Sequence, residues 1–215
     1  MKEINHIITP NISIDGCEDY PTVSDVLNSK VNRSLERWKD EVGHDVAEYI
    51  LTKAKERGSD VHQYITGYLN NDYINSVPKA PRILGLALFN QMRELQLGFI
   101  DNVRYLESDL VSRVLKIRGR VDCIADFHGE LCVIEFKTST THKLTPSDSA
   151  CYQATAYAMM WNEHFDEKIE NIVIINTSED GQVISFKRPI MKYSPHVLDL
   201  IDLCHKKIQN DEQGE

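Results

Sequence analysis

The chain has 215 residues, 41% hydrophobic and 27% charged, and a formal net charge of −9. That balance is globular and excludes wholesale disorder, and no apolar run approaches the roughly 20 residues that a membrane-spanning helix needs. The negative charge weighs against a protein that coats nucleic acid by bulk electrostatics, but not against an enzyme that engages it at one local site. Five cysteines (Cys17, Cys123, Cys132, Cys151 and Cys204), without a C-x-x-C pair, fit buried free thiols in a reducing compartment better than a disulfide framework or a zinc ribbon. In the first 20 residues Lys2 stands against Glu3, Asp15, Glu18 and Asp19. This is unlike a signal or transit peptide, and a cytoplasmic setting, in a bacterium or a phage-infected cell, is expected.

In chain order, the first 20 residues read as an irregular or strand-like arm. Tyr20-Pro21 then leads into a short helix capped by Thr22 or Ser24. Val31 to Lys55 is charged and periodic, with Leu35, Trp38, Val42, Val46, Tyr49 and Ile50 near helical spacing, which predicts one or two helices. Gly58 is expected to break that run, with a further helix from about Ser59 to Asn71. Pro78 and Pro81 precede an amphipathic helix over roughly Arg82 to Leu97. From Phe99 the pattern changes to Val-, Ile- and Leu-rich runs of period two: Val103 to Leu106, Val111 to Ile117, Gly119 to Ala125 and Leu131 to Lys137. These predict three or four antiparallel strands, with His128-Gly129 as a tight turn. A helix over Ser149 to Phe165 comes next, followed by strands over Ile172 to Asn176 and Gln182 to Lys187 joined at Asp180-Gly181. A helix from Ser194-Pro195 to about Gln209 ends the chain. The expected class is α/β (α+β), one domain over 1–215. Residues 20–97 are mainly helical, 99–190 form the sheet and its helix, and 194–210 form the last helix.

Asp122, in Gly119-Arg120-Val121-Asp122, precedes Glu135-Phe136-Lys137 by thirteen residues. On a strand Glu135 and Lys137 share one face, and Phe136 points into the core on the other. The turn near Gly129 folds the strand of Glu135 back onto that of Asp122. The two carboxylates can therefore meet and make an oxygen-rich site suited to Mg²⁺. Lys137 beside them is placed to hold an attacking water or to meet charge on a phosphate oxygen. The plainer alternative is a minor cross-strand ion pair on solvated faces; the strand character of the flanking residues favours the site. Arg118 and Arg120 share a strand face with Asp122, so they would draw a phosphate chain towards it. Arg113 and Lys116 read equally well as decoration of an exposed strand. Three further residues keep two readings each. Glu107 is an acidic neighbour of the metal or an exposed Glu, Trp38 stacks a base between Arg37 and Lys39 or packs in the core, and Ser24 contacts a phosphate or caps its helix.

Asp…Glu-x-Lys on adjacent strands resembles the PD-(D/E)XK nuclease superfamily. Gly58-Ser59-Asp60-Val61-His62 and Gln153-Ala154-Thr155-Ala156-Tyr157 are similar to the G-x-x-x-H and Q-x-x-x-Y segments of its RecB-like exonuclease branch. Within that branch, Pro21 to Ser24, Leu35 to Lys39, Leu106 to Ser108 and the long block Gly119 to Ser139 are most similar to the exonucleases that maintain the mitochondrial genome, although Glu135 stands where that group has Asp. The resemblance implies a restriction-endonuclease-like core with a mixed central sheet flanked by helices. It implies Asp122, Glu135 and Lys137 as the catalytic set, with His62, Asp122, Glu135 and the backbone carbonyl of Phe136 as ligands of Mg²⁺ or Mn²⁺. Gln153 and Tyr157 would support the site or the DNA, and Thr138 and Ser139 fall at the end of the matching block. The iron–sulfur members of the branch need four cysteines, three of them near the C-terminus. Only Cys151 and Cys204 follow Lys137 here, so no cluster is expected.

The expected activity is a metal-dependent DNA exonuclease that prefers single strands with free ends, acting as a monomer away from membranes in repair or replication. Two other readings stay open: an endonuclease or recombination nuclease of the same superfamily, and a non-catalytic nucleic-acid-binding relative.

Overall fold

Val and Ile occupy both faces of the central strands, which is the pattern of a sheet covered on both sides. The structure, a computed structural model, describes residues 3–30, 33–78 and 80–213. Its sheet holds β1 (Ile100–Ser112), β2 (Ile117–Phe127), β3 (Glu130–Ser139), β4 (Asn171–Ser178) and β5 (Val183–Pro189), side by side in that order. All neighbours run antiparallel except β3 and β4, which are parallel. A parallel pair needs a crossover, and α6 (Asp148–His164) supplies it.

Two hydrophobic layers hold the sheet. On one face α1 (Val23–Asn28), α6 and α7 (Ser194–Gln213) pack Val23, Met160, Trp161 and Val197 against Val121, Ile124, Val133 and Ile174. On the other, α3 (His44–Leu69) and α5 (Ile83–Leu95) pack Tyr64, Phe89 and Met92 against Cys123, Ile134, Phe136 and Ile175. Each fully buried large side chain contributes about 1.5–3 kcal/mol, so the two layers dominate stability. α2 (Arg33–Val42) buries no residue, and α4 (Tyr73–Ser76) is a single turn. Val31, where the predicted helical run begins, lies outside the described residues. The N-terminal arm is tied down by a bridge between His6 and Val103 and by Asn71, whose side-chain amide bonds both the N–H and the C=O of Ile4.

The expected elements recur with two corrections. Gly58 does not break a helix: α3 runs through it from His44 to Leu69, and the break falls at Gly43, whose φ of 89° is the left-handed backbone that glycine tolerates. An interior glycine costs a helix only about 1 kcal/mol, which the buried face of Ala47, Val61, Tyr64, Ile65 and Tyr68 outweighs. Nor is Val111 to Ile117 a strand. β1 ends at Ser112, and the chain turns through 113–116 with Lys116 at φ 52°, so Arg113 and Lys116 sit on a turn. Thr22, not Ser24, caps α1, in a capping box with Asp25. His128-Gly129 is the tight β2–β3 turn, with φ of 53° and 80°.

Candidate active site

The site forms where the sheet forks. The β2–β3 ladder runs from Phe127 opposite Glu130 to Cys123 opposite Ile134 and goes no further, while β3 continues along β4 to Ser139. Asp122 and Glu135 stand one residue beyond the last β2–β3 pair. Alternation along β2 also changes there, because Val121 packs on the α6 side and Cys123 on the α3 side. Oδ2 of Asp122 accepts the backbone N–H of Phe136 at 3.0 Å, satisfying a donor that the parted ladder leaves behind. Phe136 itself is buried against α3 and α5, as the strand alternation predicts.

From α3, His62 reaches into the fork. Its Nε2 donates to the carbonyl of Phe136 at 3.0 Å. Its Nδ1 lies 3.4 Å from Oε1 of Glu107 and 3.7 Å from Oδ1 of Asp122. A carbonyl can only accept, so Nε2 carries a proton, and the carboxylates beside Nδ1 favour a second one there. Burial opposes that charge, but the bond to Glu107 and the charges of Asp122, Glu135 and Glu107 prevail and raise its pKa to about 9. Glu107 points inward from β1 at a residue with φ of 47°. Ligand atoms of His62, Glu107 and Asp122 lie within 4.8 Å of one another, the one such group of His, Cys, Asp and Glu found among the described residues.

Glu135 lies deeper and outside that set. It is 1% exposed; Oε1 accepts from Lys137 Nζ at 2.6 Å, and Oε2 is buried without a hydrogen-bond partner. Burial, reinforced by the charge of Asp122, raises its pKa to about 8 against the pull of Lys137 and His62. The Asp122 carboxyl is pushed up by burial as well, opposed by His62, the Phe136 N–H and Lys137. The Lys137 amine is also raised: burial alone would depress it, but Glu135 and Asp122 outweigh burial and hold it protonated. Its second acceptor is Oε1 of Gln153 on α6, at 3.1 Å. Tyr157, one turn further along α6, is 4% exposed, and burial, then the charges of Glu135 and Asp122, push its hydroxyl well above the usual range.

The remaining predicted residues separate into groups. Arg118, Arg120, Ser24, Gln153 and Tyr157 line a cleft of about 360 Å³ between α1, β2 and α6. Arg118 donates to the carbonyl of Tyr20, and Arg120 is exposed in a two-point pair with Asp109 at 3.1 and 3.2 Å. Thr138 and Ser139 sit past Lys137 in a bracing network. Arg57 of α3 donates to Thr138 Oγ1 and pairs with Glu179, and Ser139 donates to Asn176. Trp38 lies on the unburied α2, half-buried, and lines neither that cleft nor the His62 cluster. Arg118 and Arg120 therefore act as single residues, each held by a different partner.

Residues 25–198 match the family model of the PD-(D/E)XK nuclease superfamily. The chain belongs to that superfamily. Mouse mitochondrial genome maintenance exonuclease 1 is 28% identical over 181 residues, which cover 80% of this chain and 49% of that protein. The human protein of the same name is 25% identical over 196 residues, 86% of this chain and 54% of its own length. The chain thus spans about half the length of the curated relatives it matches. A crystal structure of a candidate exonuclease from Eubacterium rectale superposes with a TM-score of 0.54 at 12% identity, covering 97% of this chain and 88% of that one, and shows a shared fold alone.

Within this PD-(D/E)XK fold the donor set can be tested against a divalent ion. One imidazole, three carboxylates and a backbone carbonyl suit a hard cation such as Mg²⁺ or Mn²⁺, and the unpartnered Oε2 of Glu135 is the kind of buried acceptor that such a charge satisfies. The residues fit. All five cysteines are free and buried. No helix among the described residues is long and apolar enough to cross a membrane. Sequence spacing alone does not bring out Asp109, Arg57 or the inward turn of Glu107, because each depends on a partner more than ten residues away or on a backbone angle.

Proposed function

We propose that this protein is a metal-dependent DNA exonuclease that prefers single-stranded DNA with free ends and hydrolyses phosphodiester bonds. The observation that carries the reading is the meeting of His62, Glu107, Asp122 and the Phe136 carbonyl at the fork of β2 and β3, with Lys137 and an unpartnered Glu135 oxygen beside them. Asp122, Glu135, His62 and the Phe136 carbonyl would hold Mg²⁺ or Mn²⁺, and Glu107 joins them by position. Such an ion, when bound, polarises a phosphoryl oxygen and acidifies a water.

The chain's own residues supply the rest. Lys137, protonated and steadied by Gln153, orients the attacking water and meets negative charge at the phosphate. Arg118, Arg120 and Ser24 form the wall along which the phosphates approach, and Tyr157 backs that wall from α6. Thr138 and Ser139 hold the end of β3 in register. Preference for free ends is supported by the similarity to the mitochondrial exonucleases, and preference for single strands by the net charge of −9, which suits a local groove better than a duplex-coating surface.

End-labelled linear single-stranded, linear duplex and circular single-stranded DNA, incubated with Mg²⁺, Mn²⁺ or EDTA, test this directly. Degradation of the linear single strand with either metal, little of the duplex and none of the circle is expected. Cleavage of the circle would make the protein an endonuclease, and cleavage in EDTA would remove the metal from the mechanism.

A further inference from the structure

A second cleft, of about 450 Å³, leads away from the His62 cluster along α3. Its wall is a stripe of uncharged polar side chains, Ser59, Gln63, Thr66 and Asn70, at helical spacing beside His62. Arg120, its lasting cation, stands together with His62 and Glu107 at the end near the fork. Further along, the charged residue in its lining is Asp72. The α1–β2–α6 cleft shares Arg120 with it but adds Arg118, and its acid is Asp109, the partner of Arg120. A phosphate would meet attraction only at the fork end and repulsion beyond it.

The far end is closed by close packing. A Cβ on Gly67 would come within 2.2 Å of Ser76, so α4 lies directly against α3 there. Gln63 Nε2 donates to the Ser76 carbonyl, bracing the wall and leaving its own carbonyl oxygen as an acceptor. The hydroxyl of Thr66 is committed to the His62 carbonyl. The side chains of Ser59 and Asn70 form no hydrogen bond with the described residues and stay available. From His62 to Asn70 the helix advances about 12 Å, and the volume falls within the roughly 300–1,000 Å³ of small-molecule sites.

We propose that this α3 cleft seats the terminal nucleoside of the strand being degraded, with the sugar and base against Ser59, Gln63 and Asn70 and the adjoining phosphate at Arg120. Uncharged amides and hydroxyls pair with base edges, whereas cations position phosphates. This assignment rests on the nuclease reading above and names the part of the substrate that the second cleft takes.

Three linear single-stranded oligonucleotides of one length test it: fully base-bearing, with an abasic residue at the 5′ end, and with one at the 3′ end. The wild-type protein is expected to show a KM about tenfold higher for one of the abasic ends, the loss of about two hydrogen bonds. The double variant Ser59→Ala/Asn70→Ala changes only exposed side chains and should retain the wild-type circular dichroism spectrum. It should raise KM on the base-bearing strand by a similar factor, leave KM on that abasic strand unchanged and leave kcat within about twofold throughout. Equal KM for all three strands in the wild type, or an equal rise on all three in the variant, overturns the nucleoside seat while the nuclease reading stands. Absence of any Mg²⁺- or Mn²⁺-dependent cleavage by the wild type overturns both.

Discussion

Lys137 is the residue whose role is most exposed to test. Its amine is fixed between Glu135 and Gln153 rather than packed in the core, so Lys137→Ala removes chemistry without removing structure. We expect it to lower metal-dependent cleavage by about 10²–10³-fold, the usual cost of losing one positioned electrostatic partner. The circular dichroism spectrum should stay that of the wild type. Activity within a few-fold of wild type would take the lysine out of the mechanism.

The acids and His62 make a second, linked prediction. Glu135 and His62 both have folded pKa values raised above their unfolded ones, to about 8 and about 9. For each, the stabilising contribution is fully present below the unfolded pKa and is lost as pH rises through the folded value. The metal-free protein should therefore lose stability between about pH 4.5 and 9 from these two groups. A divalent ion favours their deprotonated forms, so the rise in thermal midpoint produced by Mg²⁺ or Mn²⁺ should grow from about pH 6 to 9. Glu135→Gln should flatten the lower part of that rise. A metal-induced shift that stays constant across the window contradicts this assignment of the cluster.

At the scale of elements, two glycines that look alike in the sequence behave oppositely. Gly58 lies in the interior of α3 with nothing within 4 Å of where a Cβ would stand. Gly58→Ala should stabilise the protein by about 0.5–1 kcal/mol, read by chemical denaturation, without altering cleavage. Gly119 lies on β2 with the Tyr157 ring 3.0 Å and Val23 3.3 Å from the same hypothetical atom. Gly119→Ala should push Tyr157 off its seat, destabilise by about 1–3 kcal/mol and reduce cleavage as well, since Tyr157 lines the phosphate cleft. A Gly119→Ala protein as stable and active as wild type would show that Tyr157 can shift freely.

These glycines also mark what the sequence made legible. Strands, the His128-Gly129 turn and α6 follow from period-two runs and helical spacing, which are local signals. The mixed order of β3 and β4 follows from the helix between them. The continuity of α3 through Gly58 was not legible, because tertiary burial of Val61, Tyr64 and Ile65 outweighs a local propensity. Of the candidate site, strand spacing pointed to Asp122, Glu135 and Lys137, and the family resemblance to His62. Glu107 carried two open readings until the left-handed backbone angle turned it towards His62. Arg120 gave no sign of its partner, because Asp109 is opposite it only through the β1–β2 register.

For the whole molecule, a net charge of −9 sits with a function on a polyanion only if the contact is narrow. Of the basic run in the middle of the chain, Arg113 is tied to the N-terminal arm through the carbonyls of Ser13 and Asp15, and Arg118 is partly committed to Tyr20. Arg118, Arg120 and Lys137 remain as the cations that face the site from β2 and β3. With about two to three phosphates neutralised, single-strand affinity should fall only about tenfold between 50 and 200 mM salt, from a slope near −0.7 per phosphate. Fluorescence anisotropy of a labelled oligonucleotide on the wild-type protein in EDTA, where no cleavage is expected, measures that slope. Arg120→Ala should make it shallower by about 0.7, one phosphate's worth. A fall of a thousandfold over the same range would mean that the strand follows a far longer basic track, and the local-groove account of this acidic protein would have to be abandoned.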